Sequence, residues 1–540
     1  MTYRWFGPSI AMAMTGVVLL AAAFTGVASG GEAATSRVLR LNASDTAIEF
    51  LDPALNYDFI GWRLEYMTCA RLLAYPDKAG AAGARLVPEV ARGMPRVTRN
   101  GRTYTFTVRR DFRFSDGSRV TPRSFVRAIE RALHPKMQSP AANFVGDIVG
   151  AGAVQSGKRT TPSGVVVQGD RLTITLRRPA PDFMSRIAMV FFCAVPENLP
   201  IDPQGVKTPP GAGPYYVAEF SGTKPILIKR NPYYTGSRPQ RWDEVILNQN
   251  VNVQTSYLQV RRGEIDLDMA GLPPAAHTEL TRRYGINNGR YFVNPGLIIQ
   301  YIALNTSRPL FKDVKARQAV AYAINRTSLM RVAGLNGGRP NDQILPPGLP
   351  GYEPVTIFPN TPDIAKAKDL MGGRTVKAVM YTGNDPVSTS QGEIIRQNLG
   401  AIGIEVTVKR FTFAVQISKA GTKGEPFDMN LIGWFADYPD PYDFINILLS
   451  GESIAKANNI NTAYFDDPVF NRRMEQAAQL FGDARLSAYA RLDRDLTRAA
   501  PFVVYGNSTV REFVSDRVAC PMYSVPSGGL NLTMLCPKPR

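Results

Sequence analysis

Apolar and polar residues alternate with a period of two along Thr103–Arg109 (TYTFTVR), which predicts a half-buried strand. The pair Asp116-Gly117 marks a turn, and Thr121-Pro122 reads as an N-cap followed by proline at the first helical position. A helix over Pro122–Leu133 should follow. Alternation returns at Val165–Val167 and Leu172–Leu176 with Gly169-Asp170 between them, the pattern of a hairpin. Upstream, Val38–Leu41 is strand-like, Leu51-Asp52-Pro53 is a turn, and Trp62–Leu73 reads as an amphipathic helix. Gly211–Tyr216 opens a strand run that continues through Ile226–Lys229. Val245–Leu247 then leads to a helix over Val253–Arg262 that Gly263 stops. After the strand Ile298–Asn305 the period lengthens. Asp313–Ala333 is apolar at helical spacing, Ala365–Met371 starts a second helix and Gln391–Leu399 a third, which Gly403 joins to a strand at Ile404–Val406. Strands followed by crossover helices indicate α/β lobes with largely parallel or mixed sheets. No fixed-period repeat interrupts them.

Length and the N-terminus sharpen this. The 540 residues exceed the ~250–300 at which one core usually divides, so two or more lobes are expected. Arg4, the apolar run Ile10–Phe24 and the small residues through Ala34 follow the plan of a secretory signal, with the mature chain beginning near Ser29–Ala34. An uncleaved anchor is the competing reading, but the run of about 15 residues is short of the ~20 that span a bilayer. None of the four cysteines lies near this segment, so no lipidated cysteine begins the mature chain. A soluble periplasmic protein is expected.

Charge and chemistry exclude more than they suggest. The formal charge is +18, yet Arg99, Arg102, Arg109, Arg110, Arg113, Arg119, Arg123, Arg127 and Arg131 are interspersed with acids and apolar residues. That is the pattern of a solvated basic surface, suited to anionic lipid headgroups rather than to nucleic acid. Cys69, Cys193, Cys520 and Cys536 permit three pairings. Cys69–Cys193 and Cys520–Cys536 are preferred, because the first two sit in apolar runs and the second two close a short loop; buried free thiols are the alternative. Only His134 and His277 are present, without CxxC spacing, so no metal or other cofactor is expected. His134 reads as a helix C-cap and His277 as a surface residue. A Gly-x-Ser-x-Gly elbow, a phosphate loop and His-Glu-x-x-His are all missing from the sequence, which argues against an enzyme.

Several ordered segments carry a resemblance. They are Thr103–Arg131 (TYTFTVRRDFRFSDGSRVTPRSFVRAIER), Leu176–Phe183 (LRRPAPDF), Pro210–Tyr216 (PGAGPYY), Arg230–Tyr234 (RNPYY), Gly263–Asp266 (GEID), Leu304–Arg326 (LNTSRPLFKDVKARQAVAYAINR) and Gly433–Pro441 (GWFADYPDP). In this order they resemble the peptide-, dipeptide- and nickel-type solute-binding proteins of ABC importers. The resemblance implies two α/β lobes with a hinge and an α+β subdomain inserted in the first. Residues 36–75, 195–298 and 505–540 would form lobe I, 76–194 the subdomain and 299–504 lobe II, after a signal peptide over 1–34. The chain would cross the hinge near Leu297–Tyr301 and Val503–Tyr505. It further implies capture of a peptide or peptide-like solute by lobe closure, delivery to a membrane permease, and a monomer. A tethered interaction or structural protein with an occluded cleft is the alternative.

By the same resemblance Asp437 matches the carboxylate that pairs with a ligand's α-ammonium. A desolvated ammonium needs such a partner. Asp437 could instead cap the turn into Pro439-Asp440-Pro441. Gly433, Trp434 and Phe435 would run alongside an extended ligand, pairing through main-chain groups, with the strand-like stretch Tyr57–Phe59 opposite. Core packing of Trp434 and a plain surface loop at Tyr57–Phe59 are the alternatives. No residue is matched to a ligand carboxylate.

Overall fold

The computed structural model describes residues 37–44, 48–222 and 224–539. The expected signal peptide, 1–34, lies outside these residues. Among them, no helix is long and apolar enough to cross a membrane.

Three large sheets organise the described residues, with three two-stranded ones beside them. A mixed five-stranded sheet has the order Leu267–Asp268, Val38–Ser44, Glu244–Val251, Ile226–Arg230, Tyr215–Glu219, parallel in its first two pairings and antiparallel in the rest. A four-stranded antiparallel sheet, with strands Arg96–Val97, Thr103–Thr107, Arg171–Thr175 and Val165–Gln168, carries the helix Pro122–Leu133. Thr121 caps that helix and His134 ends it. A six-stranded mixed sheet runs Gly338–Arg339, Phe502–Phe513, Tyr291–Leu304, Met429–Phe435, Val376–Gly383, Ile404–Phe411. Its last two strands are parallel and are joined by the helix Pro386–Gly400.

Two long strands link the first sheet to the third. Tyr291–Leu304 and Phe502–Phe513 pair antiparallel, with register shifts between Pro295 and Ile299 and between Gln300 and Tyr301. Beyond Phe513 the chain bridges from Val514 to Leu267, at the edge of the five-stranded sheet. Bulges of this kind bend a strand pair locally. One apolar cluster continues from Phe106, Phe125 and Leu172 through Phe191 and Trp62 to Tyr301, Tyr438 and Phe444. Cys69 is bonded to Cys193 and Cys520 to Cys536, each pair with Cα atoms 5.6 Å apart.

Several expectations are corrected. The helix read over Trp62–Leu73 spans Phe59–Thr68 and is buried on nearly every side. Its charged residues do not mark a solvent face: Arg63 donates to Glu512 at 2.7 Å inside the protein. Cys69 is extended, and the chain goes on to pair Leu73–Ala74 with Val87–Pro88. The stretch Tyr57–Phe59 is not strand-like, because Asp58 caps this helix by accepting from the Gly61 N–H and Phe59 is its first residue. Asp313–Ala333 is two helices, Val314–Ala323 and Arg326–Arg331, with Asn325 capping the second. Arg131 belongs to the core, in a bidentate pair with Asp52 at 2.6 Å on both arms. His277 is buried too; its Nδ1 lies 2.9 Å from the Tyr291 hydroxyl, and burial pulls its pKa down to about 3.

Candidate functional site

The strand Met429–Phe435 sets the geometry. One edge pairs with Ile298–Leu304, placing Gly433 opposite Gln300, Trp434 opposite Ile299 and Phe435 opposite Ile298. On the other edge its partner Val376–Gly383 reaches only Met429 and Asn430. Among the described residues, no strand lies along that edge from Ile432 to Phe435. Gln416 Nε2 donates to the Leu431 carbonyl just before this stretch. Unpaired strand edge is what main-chain recognition of an extended ligand requires.

Past Phe435 the chain turns. Asp440 caps the helix Pro441–Leu449 by accepting from the Tyr442 N–H and pairs in bidentate fashion with Arg485 at 2.7 and 2.9 Å. Asp440, rather than Asp437, therefore does the turn's capping. Asp437 is buried, and its Oδ2 accepts from the Tyr57 hydroxyl at 2.6 Å. Its own N–H donates to Asp443 Oδ2 at 3.0 Å, and the same oxygen accepts from Trp434 Nε1 at 3.1 Å. Trp434 thus helps fix the turn, with its ring edge-on to Tyr57 at 6.5 Å.

Burial drives the electrostatics. Taking a carboxylate out of water disfavours its charge, and Asp437 is pushed up to about 7. Asp443 rises well above the usual carboxylate range, through burial first and the neighbouring Asp437 charge second. Burial likewise raises the Tyr57 phenol, so it stays a donor. No guanidinium or ammonium of the described residues bonds Asp437 or Asp443; the nearby Arg485 and Arg186 are taken up by Asp440 and by Asp147 and Asp182.

The structure brings all the sequence-derived positions to one seam. Tyr57 meets Asp437 and Trp434, and Phe59 meets Phe435 edge-on at 5.3 Å. Gly528 closes this side: a Cβ there would fall 2.3 Å from the Phe435 ring. Four participants were missed. Asp443 stands behind Asp437. Asp182 accepts from the Tyr438 hydroxyl at 3.1 Å, and Phe144 and Phe191 pack on the Tyr57 ring. Asp443 carried a weak signal, lying one helical turn after the capping Asp440; the others depend on sequence-distant contacts.

A family model, bacterial extracellular solute-binding proteins, family 5 Middle, matches residues 85–456. The chain belongs to the family 5 solute-binding proteins. The solute-binding protein is 25% identical over 429 residues to the periplasmic oligopeptide-binding protein OppA of Escherichia coli, covering 75% of this chain and 76% of that one. Among solved structures it resembles clavulanic acid biosynthesis oligopeptide binding protein 2, with TM-score 0.84, 24% identity and coverage of 93% and 96%. It also resembles Haemophilus influenzae OppA, described as a complex with RPPGFSPFR, with TM-score 0.78, 20% identity and coverage of 93% and 99%. These structures share its two-lobed α/β fold.

Proposed function

We propose that this solute-binding protein captures peptides with a free N-terminus between its lobes and hands them to an ABC permease, working in the periplasm and performing no chemistry on the ligand. One observation carries the reading: among the described residues, a buried carboxylate without a cationic partner, Asp437, stands at the end of an unpaired strand edge. The edge can pair with a peptide backbone whatever its side chains, while the carboxylate selects the ammonium at one end. OppA of E. coli, by its name an oligopeptide-binding protein, supports the same ligand class.

Lobe I is taken as 36–75, 195–298 and 505–540, the subdomain as 76–194 and lobe II as 299–504. The five-stranded sheet, which draws on segments before 45 and between 215 and 268, supports this division, as does the four-stranded sheet within 96–175. The long strands Tyr291–Leu304 and Phe502–Phe513 are the natural hinge, since their register shifts concentrate bending there. Closure would follow from contacts a ligand makes to both sides at once. The two disulfides suit an oxidising compartment.

Affinity for trialanine and N-acetyl-trialanine tests the reading. Asp437→Asn should weaken the free amine by one to two orders of magnitude and the acetylated peptide much less, the loss expected for a buried charged hydrogen bond. Equal losses would remove Asp437 from the ligand site. Native mass spectrometry of the exported protein with no co-purified solute, together with a retained N-terminus, would favour a tethered interaction protein instead.

A further inference from the structure

Asp443 does more than hold the turn. It is fully buried, and its Oδ2 takes both donors that reach it, from Trp434 Nε1 and the Asp437 N–H. Its Oδ1 is buried with no hydrogen-bond donor among the described residues. The Asp437 carboxyl is its side-chain hydrogen-bond neighbour in the same buried cluster, joined to it also through the Asp437 N–H. Two carboxylates cannot meet in this way unless they share a proton, because neither ionised group donates.

The surroundings offer no other compensation. From the segment before the helix Phe59–Thr68 comes the neutral Tyr57 hydroxyl, and from that helix the Tyr66 phenol. From the turn come Tyr438 and Asp440, from the helix Gly482–Ala499 Arg485, and from the subdomain side Asp182 and Arg186, each bonded within its own pair or network. One ammonium needs one carboxylate. A second, buried one beside it carries a free-energy cost unless it has a task.

Resting on the proposed peptide-binding role, we infer that Asp437 and Asp443 form a single proton-sharing subsite, in which Asp443 is the specificity-determining partner that couples capture of a ligand ammonium to release of one proton. The balance is simple: the pair with its proton carries one negative charge, and the ammonium enters as the proton leaves to solvent, so both carboxylates end ionised around the cation. Affinity then rises with pH through the titration of the pair, by up to tenfold per unit. It falls again where the peptide's own amine deprotonates, near pH ~8. A neutral or anionic end group gains nothing from this exchange, so the subsite rejects it.

Asp443→Asn separates this role from a structural one. Asparagine keeps an oxygen for Trp434 and the Asp437 N–H and presents an amide to the Asp437 carboxyl, so it imitates the protonated form permanently. Without peptide, the fluorescence of Trp434 should show a titration step near neutral pH, absent in Asp443→Asn and assigned by its loss in Trp434→Phe. With trialanine, calorimetry in buffers of different ionisation enthalpy should report up to one proton released by the wild type and close to none by Asp443→Asn. An unchanged fluorescence step in Asp443→Asn, or wild-type binding with no proton release and no slope in affinity, would overturn the inference. If the fluorescence step behaves as described but trialanine does not bind the wild type, the peptide reading fails and proton-linked capture falls with it, leaving only a shared proton.

Discussion

Asp52 and Arg131 are both fully buried and bonded through two arms, and Asp52 also accepts from the Val206 N–H. Removing the guanidinium leaves a carboxylate stranded in the core. Arg131→Met should therefore lower stability by about 3–5 kcal/mol. Urea unfolding should show a lower midpoint at unchanged slope. Asp493 behaves differently. It accepts from the Ile344 and Leu345 N–H groups and from Gln343, and burial raises it to about 7. The folded chain thus holds a proton that the unfolded chain has released above its ordinary value near 4. Its contribution to stability is full below that value and is lost as pH rises from about 4 through 7. Asp493→Asn should flatten that part of the profile, measured as urea midpoints at about pH 5 and about pH 8. A slope identical to the wild type would clear Asp493 of the effect.

At the scale of elements, the helix Pro441–Leu449 carries Asp443 to Asp437, and its start is fixed by Asp440. Asp440→Ala removes an N-cap, worth ~1 kcal/mol, and strips Arg485 of its bidentate partner in a buried setting. Thermal unfolding should fall by more than the cap alone explains. Arg485→Met in the same background should recover part of the loss, since the stranded charge is then gone. This element was legible in sequence as far as Pro439-Asp440-Pro441 announced a turn, and likewise Thr121-Pro122 gave the helix Pro122–Leu133 with its boundaries. The helix at Phe59–Thr68 was misread because Arg63 and Glu65 imitate a polar face, whereas both are buried. No local pattern distinguishes a solvated arginine from one whose partner, Glu512, lies far away in the chain.

Over the whole molecule, the seam is held by contacts of unequal worth. The Tyr57–Asp437 bond is buried, and so is Tyr438–Asp182. Arg178 meets Glu452 and Glu475 at the surface, where ion pairs contribute about 0–1 kcal/mol. Tyr57→Phe removes the hydroxyl that Asp437 accepts and leaves the ring packing intact. It should shift the ligand-free protein toward opening and enlarge its radius of gyration in small-angle scattering. Arg178→Ala should change that radius little. Trialanine should compact the wild type and raise its melting temperature, as expected for any ligand that binds the folded state alone.

The sequence by itself determined what is local and periodic. Caps, turn pairs and alternation placed some strands of each large sheet and several helices, but not the strands Val376–Gly383, Met429–Phe435 and Phe502–Phe513; ordered motifs gathered Tyr57, Phe59, Gly433, Trp434, Phe435 and Asp437 as candidates. Only the tertiary structure decided which carboxyls and cations lose their water. It brought Asp443 beside Asp437, moved Arg131 and His277 into the core, and left Asp437 without a cation among the described residues. The reason is physical: hydrogen-bond patterns within a few residues set secondary structure, but desolvation is fixed by what arrives from elsewhere in the chain, and desolvation turns an ordinary aspartate into a group that can bind or share a proton.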